Sequence, residues 1–168
     1  LEDAYLKGVR VEDTRTLMNG LLHATKAVHP KISSTGRRGW EWYNSLGYVP
    51  ADAGINESAA RTLEYAYNDW FILRLGRTLG WDRAALDTLA HRSMNYRHLF
   101  DPETKLMRGR NQDGSFRIPF SPFKWGDVFT EGNAWHYTWS VFHDVQGLID
   151  LMGGDRPFVS MLDSVFNT

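Results

Sequence analysis

The sequence predicts an all-α domain, part of an α/α toroid, with a small β-hairpin inserted before its last helices. Apolar residues recur at spacings of three and four in several separate stretches, which is the period of a helix with a buried face. Two of those stretches, about 57–79 and 83–98, are joined by a very short connection and so form an antiparallel αα-hairpin. The chain is also rich in aromatics, at 14% with seven tryptophans, as suits consecutive helical hairpins packed around a cavity.

The elements follow in order. Leu17, Met18, Leu21, Ala24 and Val28 mark a helix that Asp13 or Thr14 caps and Pro30 closes. Residues 31–39 have no apolar period and read as a surface loop. Trp40, Trp42, Tyr43 and Leu46 form a short helical turn before Gly47, and Tyr48 to Asp52 runs extended because Pro50 disfavours helix at Val49. Asn56 caps the 57–79 helix, with Leu63, Ala66, Tyr67, Trp70, Leu73 and Arg77 on one stripe and Ala59, Ala60, Phe71 and Leu75 widening it. A helix apolar over so much of its circumference is enclosed by neighbours. Gly80 ends it and Asp82 caps the next.

At Asp101-Pro102 the pattern changes. Leu106 to Arg110 and Ser115 to Pro119 flank Asn111-Gln112-Asp113-Gly114, a hairpin signal. Helix resumes over Ala134 to Trp139, then about 143–152 up to Gly153-Gly154, then about 156–166 with Phe158, Met161, Leu162 and Val165 inward.

Composition excludes several functions. Net charge is −1 and neither sign forms long runs, which argues against an electrostatic grip on nucleic acid or an anionic membrane. No apolar run is long enough to span a bilayer, so no membrane is expected. Without cysteine there is no disulfide, thiolate nucleophile or thiolate metal site. HExxH, EF-hand and Gly-x-Ser-x-Gly patterns are absent. The ends read as those of a segment cut from a longer chain, without a start methionine or signal peptide.

One stretch carries candidate chemistry. Thr130-Glu131-Gly132-Asn133 lies between a Pro/Gly-rich loop and a helix, so Glu131 projects from a loop end. Trp125, Phe129, Trp135 and Trp139 nearby would exclude water and raise its pKa, as a general acid requires. Glycosidic cleavage needs such an acid and an opposing carboxylate. Local features also allow a solvated or helix-capping glutamate, since acidic residues near helix N-termini are common. His136 and His143-Asp144 are open to an acid–base, metal-binding or purely structural reading. On the long helix, Arg61 sits between Glu57 and Glu64 as an ion-pair partner, and Asp69 could face a neighbour's backbone.

The ordered blocks Asp3 to Gly8, Gly47 to Asp52, Glu57-Ser58, Thr62 to Trp70, Phe100 to Pro102, Met107 to Arg110, Asp113 to Phe116, Pro119 to Pro122, Thr130 to Trp139, His143 to Leu148 and Met152 to Gly154 resemble those of the glycoside hydrolase family 92 α-mannosidases. That resemblance implies an exo-acting, inverting, calcium-dependent α-mannosidase that takes mannose-containing glycans, often through α-1,2 links. It implies an N-terminal β-sandwich and a C-terminal (α/α)6 barrel, with the site between them. Residues 1–168 would then be a partial (α/α)6 catalytic domain, lacking the sandwich and the C-terminal part of the barrel. Glu131 takes the general acid's position. Trp125, Asn133, Trp135 and His136 around it are candidate sugar contacts. The base aspartate, a Gly-Asn-Glu-Pro block and most calcium positions would lie beyond residue 168, so no metal ligand is assigned within the chain. His136 stands where the family usually has Gln, and Phe142 where Pro is common. The family's habits also imply a periplasmic or extracellular location. The isolated chain is expected to be inactive, and to self-associate through surface that the missing domains of its parent would cover. The rival readings are a carbohydrate-binding module using exposed tryptophan faces, and a structural helical module with Glu131 in an ion pair.

Overall fold

The computed structural model describes residues 2–32 and 35–167; residues 33 and 34 of the predicted surface loop lie outside them. About half of the chain is helical, with one small antiparallel sheet. In order come α1 (Glu2–Leu6), α2 (Thr14–Ala24), α3 (Trp40–Leu46), α4 (Ser58–Thr78), α5 (Arg83–Arg92), a 3-10 turn (Asn95–Leu99), β1 (Phe100–Asp101), β2 (Leu106–Met107), α6 (Ala134–Tyr137), α7 (Val145–Met152) and α8 (Asp155–Ser164).

Helix α4 is the axis of the fold. Its buried residues fall on all sides, from Ala59, Ala60 and Leu63 through Ala66 and Asp69 to Leu73 and Leu75, as its near-continuous apolar surface requires. Helices α1, α2 and α5 and the 3-10 turn all pack against it. Gly76 permits one of these contacts, since a Cβ there would lie 2.6 Å from the Leu86 side chain on α5. One core, around Met18, Ile72, Leu75 and Leu89, ties α2, α4 and α5 together. A larger one joins Tyr48, Leu63, Tyr96, Leu99, Met107, Phe129, Val141 and Leu148.

Several boundaries differ from expectation, each for a physical reason. Helix α2 ends at Ala24 instead of running to Val28, because Thr25 turns its hydroxyl back onto the Leu22 carbonyl and Val28 bridges to Gly36. Helix α5 stops at Arg92, well before residue 98; the chain passes into the 3-10 turn as Arg92 swings inward to a buried partner. The N-cap of α4 is Glu57, in the left-handed conformation at φ 60°, not Asn56. The two-stranded sheet pairs Phe100 with Met107 and Asp101 with Leu106, one step earlier than the predicted hairpin. At the predicted hairpin the chain does reverse, with Gly114 N donating to Asn111 O at 3.0 Å, Asn111 N to Ser115 O and Arg117 N to Gly109 O both at 2.8 Å, and one antiparallel bridge, Arg110 to Phe116. On α8, Phe158 and Met161 pack on the core as expected, but Leu162 is exposed.

The buried partner of Arg92 is Asp69, for which a neighbour's backbone had seemed the alternative to pairing. Arg37 Nη1 donates to Asp69 Oδ1 at 2.6 Å, while Arg92 Nε and Nη2 donate to Oδ2 and Oδ1 at 2.8 and 3.1 Å. Asp69 is fully buried. Two guanidiniums on one carboxylate fix the loop before α3 and the end of α5 onto the middle of α4.

Candidate active site

Three connecting segments meet: Arg38 just before α3, Gly54 to Glu57 before α4, and Gly126 to Glu131 before α6. They enclose an open cavity of about 500 Å³ whose wall includes Arg38, Asn56, Glu57, Arg61, Asp127 and Glu131.

The loop bearing Glu131 is held from several sides. The Val128 carbonyl accepts from the amides of both Ala59 and Ala60, at 3.0 and 3.1 Å, satisfying donors that the first turn of α4 leaves open. Gly109 lets Val128 approach, since a Cβ there would lie 2.8 Å from Val128 Cγ1. The Gly126 amide donates to the Gly132 carbonyl at 2.8 Å, closing the loop on itself. Tyr137 stacks on Phe129 and donates its hydroxyl to the Thr130 carbonyl at 2.8 Å. Gly132 is buried beneath Tyr137, whose ring a Cβ would meet at 3.1 Å. Helix α6 is tied to β2 through Thr138, whose Oγ1 accepts from the Met107 amide and donates to the Ala134 carbonyl.

Among the described residues, four non-glycine positions have positive φ, and three of them are the acidic residues of this cavity: Glu57 at 60°, Asp127 at 62° and Glu131 at 46°. Left-handed backbone at a side chain with a Cβ costs energy and concentrates at functional sites. The three carboxylates are not equivalent. Glu57 pairs with Arg61 at 3.4 Å, and Asp127 with Arg117 at 3.0 Å and Lys124 at 3.2 Å. Glu131 is exposed to the cavity and, among the described residues, carries no hydrogen bond or ion pair.

The residues flanking Glu131 take distinct places. The aromatic enclosure expected around it reduces to Phe129; Trp125, Trp135 and Trp139 do not line the cavity. Trp125 is 64% exposed and meets the His136 ring edge-on at 5.8 Å. Trp135 stacks on Phe123 and packs against the core with its indole N–H buried and unpaired. Asn133 and His136 form a reciprocal cap at the start of α6. His143 and Asp144 lie away from the cavity. His143 Nε2 bonds the Ser93 carbonyl, and burial lowers its pKa. Asp144 caps α7 and accepts from Tyr96 and Arg97; burial would raise its pKa, but those bonds hold it below the ordinary value. Among the described residues, no three His, Asp or Glu side chains stand close enough to hold a metal ion.

Residues 1–168 match the glycosyl hydrolase family 92 catalytic domain over their full length. The chain belongs to this family. A family GH92 inverting mannosidase from Bacteroides thetaiotaomicron VPI-5482 superposes with a TM-score of 0.91 at 44% identity, covering 97% of this chain and 22% of that one. A family GH92 α-mannosidase from the same species gives 0.85 at 35% identity, over 99% of this chain and 21% of that one. That second enzyme is also known in complex with mannoimidazole. An uncharacterized secreted glycosidase of Arthroderma benhamiae is 28% identical over 97% of this chain. The family 92 chain described here spans 25% of that relative's length. No helix among its described residues is long and apolar enough to cross a membrane.

Arg38, Asn56, Glu57, Arg61 and Asp127 were not anticipated as cavity residues. In the sequence Arg38, Asn56 and Asp127 read as ordinary loop and Glu57 with Arg61 as a solvated helix pair, and only the meeting of these loops at the start of α4 brings them to Glu131.

Proposed function

We propose that this chain is the acid-bearing part of an exo-α-mannosidase that removes terminal mannose from glycans by a single displacement with inversion. The observation that carries the reading is Glu131: of the three carboxylates around the cavity, it alone among the described residues has no ion pair. A carboxyl group that no cation holds is available to meet the glycosidic oxygen and give it a proton as the bond breaks. The backbone around it is fixed by Val128, Gly132 and Tyr137, so the acid is positioned before substrate arrives. Inversion needs a second carboxylate about 6.5–9.5 Å away, activating water on the opposite face of the sugar. We assign that base to the parent enzyme outside residues 1–168, together with a β-sandwich and the helices that complete an (α/α)6 barrel. Apolar side chains left exposed on α8, Val159 and Leu162, and Phe166 just beyond it support further helices packing there in the parent.

Calcium belongs to the same reading. The described residues form no cluster that fits a hard cation with six to eight oxygen ligands, so its ligands are assigned to the parent and no step here depends on them. Alone, the chain is expected to be inactive and to self-associate. A secreted relative supports a location outside the cytoplasm.

The test is stereochemical. Proton NMR of the first product released by the intact enzyme from an α-linked mannobioside should show β-mannose. Initial release of α-mannose would overturn the single displacement.

A further inference from the structure

Among the described residues, nothing bonded to the Glu131 carboxyl sets the direction of its side chain. That direction comes from the backbone, which at Glu131 is left-handed at φ 46°. Left-handed backbone is unfavourable for a residue with a Cβ, so it persists only where the surroundings hold it. We propose that Tyr137 is the positioning residue of the acid: through the Thr130 carbonyl, its hydroxyl holds Glu131 in the backbone that turns the carboxyl to the cavity. The inference rests on the reading of Glu131 as proton donor, and adds to it the group that orients the donor.

Tyr137 touches the chain on both sides of Glu131. Its hydroxyl donates to the Thr130 carbonyl at 2.8 Å and so fixes the peptide plane leading into the acid. Among the described residues, no other hydrogen bond reaches the Thr130–Glu131 peptide. On the far side, the ring covers Gly132 so closely that a Cβ there would lie 3.1 Å from Tyr137 Cε2. The same ring stacks on Phe129, a wall of the cavity, with centroids 4.9 Å apart. The remaining ties of the loop act elsewhere, on the Val128 carbonyl and between Gly126 and Gly132.

Tyr137 is itself anchored away from the loop. Its amide donates to the Asn133 carbonyl at 3.1 Å within the turn of α6. The next residue, Thr138, is fully buried, and its Oγ1 accepts from the Met107 amide on β2 at 2.9 Å. The hydroxyl therefore reaches the loop from a turn that the sheet holds in place. Thr130 is exposed, so water can take over its carbonyl when the hydroxyl is removed. Tyr137→Phe keeps the ring on Phe129 and Gly132 and frees only the peptide plane.

The experiment is Tyr137→Phe in the intact enzyme, with Glu131→Gln beside it, on an α-linked mannobioside and a dinitrophenyl α-mannoside. The first leaving group needs a proton and the second does not. In Tyr137→Phe, kcat on the mannobioside should fall roughly tenfold with KM unchanged, and on the aryl mannoside by less than about twofold. A purely structural role would lower both activities together, along with the unfolding midpoint. An unchanged kcat on the mannobioside, or an equal fall on both substrates, would rule out the positioning role. If Glu131→Gln spares the aryl mannoside and Tyr137→Phe does not, this inference fails alone. If Glu131→Gln lowers both substrates alike, the acid reading fails and this inference with it.

Discussion

Asn133 and His136 hydrogen-bond each other twice: Asn133 Oδ1 accepts from the His136 amide, and His136 Nδ1 accepts from the Asn133 amide, both at 3.2 Å. This is a capping box with histidine in the place of the usual Glu or Gln. It gives a physical meaning to His136 where the family resemblance implies Gln. An imidazole Nδ1 and an amide oxygen are both acceptors that reach back one turn. The cap fixes the entry to α6, two residues after Glu131.

His136→Gln should therefore preserve the cap, and His136→Ala should lose about 1 kcal/mol of local stability. Hydrogen exchange of the amides of Asn133 and Tyr137 reads this directly. Alanine should speed exchange at both sites, while glutamine should leave it close to the parent value.

Asp69→Ala should destabilise the fold far more. It leaves the guanidiniums of Arg37 and Arg92 buried and unpaired, a change that costs about 3–5 kcal/mol. Denaturant titration should show a large drop in midpoint. A loss below 1 kcal/mol would mean that the two arginines find other partners or water.

Stability should decline with acid in two stages. Burial lowers the pKa of His143, so the unfolded chain takes up a proton first; the contribution of neutral His143 is complete above the ordinary value of 6.5 and falls as pH drops towards the lowered one. For Asp101 and Asp144, burial raises the pKa, but their hydrogen bonds outweigh it: from Arg108 and Thr104 to the first, from Tyr96 and Arg97 to the second. Their contribution is complete above the ordinary value of 3.8 and is lost as pH falls below it through the lowered values. Unfolding midpoints across pH 3–8 check both stages, and His143→Gln should shrink the upper one to the share of His98, whose pKa burial also lowers, while leaving the lower one in place.

How much of this was legible in the sequence differs by element. Helix α4 was placed within a residue or two, because a stripe from Leu63 to Leu75 on a helix more than five turns long has no competing period. Its start was misread by one residue, because Glu57 adopts left-handed backbone that no side chain pattern announces. The end of α5 was misplaced because Arg92 is drawn to Asp69, 23 positions away, and such a bond leaves no local trace. The hairpin was sought at Asp113-Gly114, where the turn chemistry is strong. The two-stranded ladder forms where the Asp101 carboxylate accepts from Glu103 N and Thr104 Oγ1 and Lys105 closes the turn in left-handed backbone at φ 60°, which no glycine announces. Glu131 stood out through the ordered blocks around it, and its pairing-free state did not. Glu57 with Arg61 was readable, since four residues on a helix bring them together.

The central claim is that Glu131 gives the proton. In the intact enzyme, Glu131→Gln should lower kcat on an α-mannobioside by about 10²- to 10⁴-fold, with a much smaller loss on an aryl mannoside whose leaving group needs no proton. Activity near that of the parent, or an equal loss on both substrates, would contradict it.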